Sequence, residues 1–101
     1  MGERANASES EWMRLVRACP CVLCTFLGFD QETPTNVHHV KSGTGIGDRS
    51  PHYLTVALCV EHHQGSSGVH GLGTKGFYTR YKMDELDLLN MTIAAVYAGL
   101  R

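Results

Sequence analysis

Residues 53–64 read YLTVALCVEHHQ. The first six, Tyr53–Leu58, are β-branched, aromatic and apolar, the composition of a short buried strand. Val60–Gln64 reads as the start of a helix. Cys59 stands at the junction. In Cys59-Val60-Glu61-His62 a thiol and an imidazole are two residues apart, so both can reach one ion from a single tight turn. Upstream, Asn36-Val37-His38-His39-Val40 reads as another short strand. Between the two strands lie a Gly-rich loop, Ser42–Ser50 (SGTGIGDRS), and Pro51. Two strands followed at once by a helix, with Cys and His gathered at their ends, set the frame of the whole chain.

Moving outward, Cys21-Val22-Leu23-Cys24 supplies a second pair at the same spacing. A C-x2-C and a C-x2-H together make the ligand set of a closed, structural Cys3His zinc site: Cys21, Cys24, Cys59 and His62. In a domain of this size a metal contributes stability that a thin core does not. Three other readings stand beside zinc. Disulfides need an oxidising compartment, and the polar opening MGERANASES has no apolar segment of a secretory signal. A redox C-x-x-C calls for a thioredoxin-like context that is missing. Buried free thiols are the third. Cys19 is the odd cysteine and a less well spaced substitute for Cys21.

Ser8 and Glu11 fit a capping box opening an amphipathic helix over Glu9–Ala18, which Pro20 ends. Cys19–Cys24 reads as a cysteine-rich turn. Five glycines between 65 and 76 predict that the helix after Cys59 is short or interrupted. Phe77–Lys82 reads as helix. Asp84 caps a last helix with Leu86, Leu89, Ile93 and Val96 on one face, and Trp12, Leu15, Leu86, Leu89 and Ile93 are the expected core. The order is α+β. The 101 residues suit one domain, 1–101, with residues 1–8 expected to be flexible and a core over about residues 9–98. A composition of 43% hydrophobic and 19% charged residues excludes a wholly disordered chain. No apolar run reaches the roughly 18 residues of a membrane span.

The net charge of −1 excludes a uniformly basic coat, yet charge is segregated. Residues 38–82 carry five bases and two acids, against net −2 in each flank, and hold all six histidines: 38, 39, 52, 62, 63 and 70. A basic surface around a His cluster is what a phosphate-binding site needs. Adjacent residues of a regular strand point to opposite faces, but at a strand end His38 and His39 can share one site. His62 and His63 lie about 100° apart on a helix, so one can complete the zinc knuckle while the other faces the strands.

The pair Val37-His38-His39-Val40, followed by Leu58-Cys59-Val60-Glu61-His62-His63, resembles the HNH endonuclease family. The likeness is closer to phage recombination-enhancement (Ref-like) nucleases, from residue 38 to about 90. The Gly-Thr-Gly after the first His pair and the Val69-His70-Gly71 after the second carry it. The resemblance implies a small ββα-metal, treble-clef-like fold with flanking helices around the zinc knuckle. It implies that His38 and His63 hold a catalytic divalent metal, with His70 as an added ligand, and that His39 is the general base. The middle position of the family, usually Asn, departs here; His52 and Tyr53 are its candidates, with His52 the catalytic choice.

The chemistry suits these residue types. A neutral imidazole, with a pKa near 6.5, can take a proton from water at cellular pH. An ion bound by a few protein groups keeps open positions for a phosphate oxygen and the leaving 3′-oxygen. Imidazole ligation admits Mg2+, Mn2+, Ni2+ or Zn2+. Lys41, Arg49 and Lys75 are candidate DNA contacts; Lys75, Arg80 and Lys82 also read simply as a solvated helix face. The expectation is a phage- or prophage-encoded endonuclease in the bacterial cytoplasm. It would hydrolyse DNA, with a recombination or packaging protein as a partner and no membrane association. Ref-like nucleases depend on RecA filaments, aided by a basic N-terminal segment; residues 1–37 are net acidic here, so the resemblance does not carry that dependence over. Two rival readings are a non-catalytic zinc-binding module for DNA or protein, and an accessory nuclease subunit of a larger phage machine.

Overall fold

The computed structural model describes residues 4–41 and 51–100. The Gly-rich loop 42–50, with Arg49, lies outside the described residues. The order is α1 (Ala7–Arg17), α2 (Val22–Leu27), β1 (Thr35–His39), β2 (Thr55–Cys59), α3 (Val60–Gln64), α4 (Val69–Tyr81) and α5 (Glu85–Gly99). This is a small α+β fold. The two strands among the described residues pair antiparallel, in a register that sets Thr35 opposite Cys59 and His39 opposite Thr55.

All five residues of β2 are buried, which explains why its sequence is a nearly continuous apolar run rather than an alternating one. Helix α1 packs on both strands, α2 and α5 pack on β2, and α3 continues directly from it. The Ala57 N–H donates to Thr92 Oγ1 at 3.2 Å, and that hydroxyl donates to the Leu88 carbonyl at 2.9 Å. A helix side chain thus satisfies a sheet-edge amide that would otherwise be stranded in the core. Val16, Leu23, Val56, Leu58 and Leu88 are fully enclosed.

The first helix starts two residues before the expected point, because the capping residue is Asn6 and not Ser8. Asn6 Oδ1 accepts from the Glu9 N–H, and Glu9 Oε1 accepts from the Asn6 N–H, both at 2.8 Å. Asn caps as well as Ser and has its acid at the required third position. Ser8 instead hydrogen-bonds Tyr53 Oη at 2.6 Å. The turn expected over Cys19–Cys24 is helical from Val22, with Cys21 as its N-cap. The glycine-rich stretch is also mostly helical. Gly73, at φ 74, breaks α4 in a conformation open to glycine. At Gly71 a Cβ would lie 2.2 Å from the Gly65 carbonyl oxygen, so the chain before His70 can close only on a residue without a side chain.

The expected core face of the last helix is corrected. Asp84 caps α5, in a reciprocal box with Asp87. The buried face, however, is Glu85, Leu88, Leu89, Thr92 and Val96, while Leu86 is 55% and Ile93 48% exposed. Leu89 and Val96 belong to both stripes, and packing on β2 selects the one that brings Thr92 to the sheet edge. Trp12 and Leu15 are partly buried against the core, and Trp12 Nε1 donates to Thr55 Oγ1 at 2.8 Å.

Candidate active site and metal centre

Among the described residues two clusters of metal-type side chains form, one on each side of the α3 histidine pair. The first joins Cys21, the N-cap of α2, and Cys24 in its first turn to Cys59, at the end of β2, and His62 in α3. Their ligand atoms lie within 4.8 Å of one another and all four residues are buried. Cys24 Sγ and Cys59 Sγ are 3.8 Å apart, and His62 Nδ1 is 3.7, 3.5 and 3.4 Å from the sulfurs of Cys21, Cys24 and Cys59. A tetrahedral ion with metal–sulfur bonds of about 2.3 Å and a metal–nitrogen bond of about 2.0 Å has edges of about 3.8 and 3.5 Å. The four side chains therefore fit a metal such as zinc. Cys19 is outside the cluster, its Sγ donating to the Leu15 carbonyl at 3.4 Å.

Burial holds two of these thiols protonated in the absence of an ion. Burial pushes Cys21 up, and burial and then its Cys21 neighbour push Cys24 up to about 12. Burial acts the same way on Cys59, but hydrogen bonds from the His62 backbone, Thr33, Cys21 and Cys24 outweigh it and leave that thiol below the ordinary range. Burial keeps His62 neutral. Ion binding must convert the two raised thiols to thiolates. Zinc uptake at pH 7 is therefore expected to release more than one proton per ion, and affinity to rise with pH from 6 to 8. Zinc calorimetry in two buffers of different ionisation heat reads this; proton-neutral uptake would contradict it.

The second cluster is His38 from β1, His63 from α3 and His70 from α4, with ligand nitrogens within 4.8 Å of one another. Ring centroids are 4.8–5.3 Å apart. His63 Nδ1 donates to Asn36 Oδ1 at 3.2 Å, which leaves Nε2 open. Burial, followed by repulsion from His38, His70 and His39, lowers the His63 pKa to about 4, so the ring is neutral and able to act as a ligand. Behind His38 stands Glu85, whose Oε2 lies 2.5 Å from His38 Nε2.

His39 is not one of these three. It is half-buried, and its Nε2 is 3.1 Å from His52 Nδ1. Burial first, then the charges of His52, Lys41 and His38, lower its pKa, so it is a neutral base at physiological pH. His39 and His63 line one groove of about 600 Å³ together with Asn36 and Arg17. Tyr53, the other candidate for the middle position, is instead exposed and bonded to Ser8. Lys41 and Lys75 are exposed, and neither lines this groove.

Three residues of the site escaped sequence reasoning. Asn36 shares a strand face with His38, and that two-residue spacing was the available signal. Glu85 is the acid on the buried stripe of α5, visible once the stripe is taken as 85, 88, 89, 92 and 96. Arg17, at the end of α1, carries no local signal, because only packing brings it to the groove.

Among the described residues no helix is long and apolar enough to cross a membrane. A family model described as "recombination enhancement, RecA-dependent nuclease" matches residues 5–96. No curated protein matches the chain.

Proposed function

The chain belongs to the recombination-enhancement, RecA-dependent nuclease family, and from that membership we propose that it is a single-domain HNH endonuclease hydrolysing DNA phosphodiester bonds. The observation that carries this reading is the three-histidine cluster lying beside a groove that also holds a neutral, half-buried histidine. In this reading β1, β2 and α3 are a ββα-metal unit, and the Cys3His zinc knuckle ties α2 to it.

His39 is the general base. In this role the ring takes the tautomer whose Nε2–H is given to His52 Nδ1, which holds it in one orientation and leaves the other nitrogen to take the proton of the attacking water. His52 thereby does through its side chain what the missing Asn of the family pattern would do. His38, His63 and His70 hold the catalytic ion, which when bound supplies Lewis-acid stabilisation of the charge developing on the phosphate and leaving oxygen. Arg17 in the groove, with Lys41 and Lys75 outside it, contacts phosphates of the bound strand, and Arg49 is a further candidate from its sequence alone. RecA-coated DNA is the substrate form that the family name points to.

Supercoiled plasmid and single-stranded DNA, each with and without a RecA filament, tested with Mg2+ or Mn2+ decide the matter. Cleavage is expected, and an increase on the filament identifies RecA as a working partner. Absence of cleavage under all these conditions would overturn the nuclease reading and leave the chain a zinc-containing binding module.

A further inference from the structure

Glu85 is an acid where the pattern of its helix calls for an apolar residue. It is 6% exposed, in the first turn of α5, on the stripe continued by Leu88, Leu89, Thr92 and Val96. A buried carboxylate is costly unless both oxygens are partnered. Here Oε1 accepts the Lys41 N–H at 2.9 Å, and Oε2 faces His38 Nε2 at 2.5 Å, with His38 only 1% exposed. The start of α5 adds a dipole that favours negative charge at this point.

We infer that Glu85 is a positioning residue for the histidine metal centre: it fixes the proton of His38 on Nε2 and so leaves Nδ1 as the nitrogen open to an ion. This rests on reading His38, His63 and His70 as a metal site. A carboxylate only accepts hydrogen bonds, so the ring nitrogen facing it must carry hydrogen. The second oxygen, held by the Lys41 backbone N–H two residues past the end of β1, stops the carboxylate from turning away. The ring is locked in orientation and tautomer, and the adjacent negative charge makes the opposite nitrogen a stronger donor to metal. Asn36 serves His63 in the same sense through Nδ1, so the two rings present opposite nitrogens. Glu85 is 47 residues from His38, and it makes α5 part of the site.

Glu85→Gln is the informative variant. It preserves shape but has one acceptor oxygen for the two donors that Glu85 meets among the described residues. If that oxygen stays on the Lys41 N–H, the amide NH2 faces His38 and drives the ring proton to Nδ1, where the ion belongs. The full chain, carrying only its cysteine-bound zinc, is titrated with Mn2+ alone, as wild type, Glu85→Gln and His38→Ala. Circular dichroism follows the fold. Glu85→Gln should bind Mn2+ about 10–100-fold more weakly and keep its zinc. In the wild type, 15N shifts of the His38 ring at pH 8 should place the proton on Nε2, a readout that needs no variant to fold. Wild-type Mn2+ affinity in Glu85→Gln, or a proton on Nδ1, would overturn the inference. Wild-type affinity in His38→Ala would instead overturn the metal site itself.

Discussion

Folded His39→Ala protein is expected to cut DNA at least about 100-fold more slowly than the wild type, the ordinary scale for losing a general base. Its fold, its zinc and its DNA affinity should be nearly unchanged, because the His39 ring is half-buried at the rim of a groove and joins neither metal-type cluster. His63→Ala should behave differently. It removes a nitrogen from the three-histidine cluster, so excess divalent ion should restore part of its activity. No added ion should replace the missing base. Plasmid cleavage across a metal titration compares the two variants, with circular dichroism as the folding control. Near wild-type cleavage by folded His39→Ala would sink the proposed mechanism. The lowered pKa of His39 adds a pH signature: the wild-type rate should hold as pH falls to the usual imidazole pKa and decline only below it, once the ring is protonated.

If the four-residue cluster holds zinc as proposed, Cys59→Ser is expected to abolish zinc binding and to unfold or aggregate, and Cys21→Ser to do the same. Cys59 ends β2 and opens α3, so its sulfur joins the strand pair to the helix that carries His62 and His63. Cys21 opens α2, so the same ion would clamp α2 to β2. Where an unfolded chain has no preformed site, the free energy of metal binding is folding free energy. Zinc content by elemental analysis and the melting profile check this. A variant with one bound zinc and a native melting curve would show that the four residues do not form the site. Chelation of the wild type should mimic the substitution, and readdition of zinc should restore the fold.

The legible parts of the chain were those with short-range signatures. β2 could be read from a run of β-branched and apolar residues, α3 from the residues after it, and α5 from an acidic cap followed by a helical period. The start of α1 was misplaced by two residues because two overlapping capping patterns, Asn6 with Glu9 and Ser8 with Glu11, compete in the same stretch. The face of α5 was misassigned because Leu86 and Ile93 are as apolar as Leu88; the choice depends on Thr92 reaching the Ala57 amide. That error hid Glu85, since on the alternative stripe the acid falls at the margin, where a charged residue is ordinary, and not at the centre of the buried face.

By itself the sequence determined which residue types could share an ion. Two-residue spacings within Cys21–Cys24 and Cys59–His62 confine each pair to one turn, and such local geometry survives any arrangement of the rest. Tertiary structure alone decided how the pairs and the other histidines meet. β1 brings His38 toward His63 and His70 but leaves His39 to His52. The N-terminus of α5 delivers Glu85 to His38, and the end of α1 delivers Arg17 to the groove. These contacts join residues far apart in the chain through packing on β2. No local propensity encodes which faces of distant elements meet, because that choice follows from burying the most apolar surface while satisfying every buried amide and carboxylate.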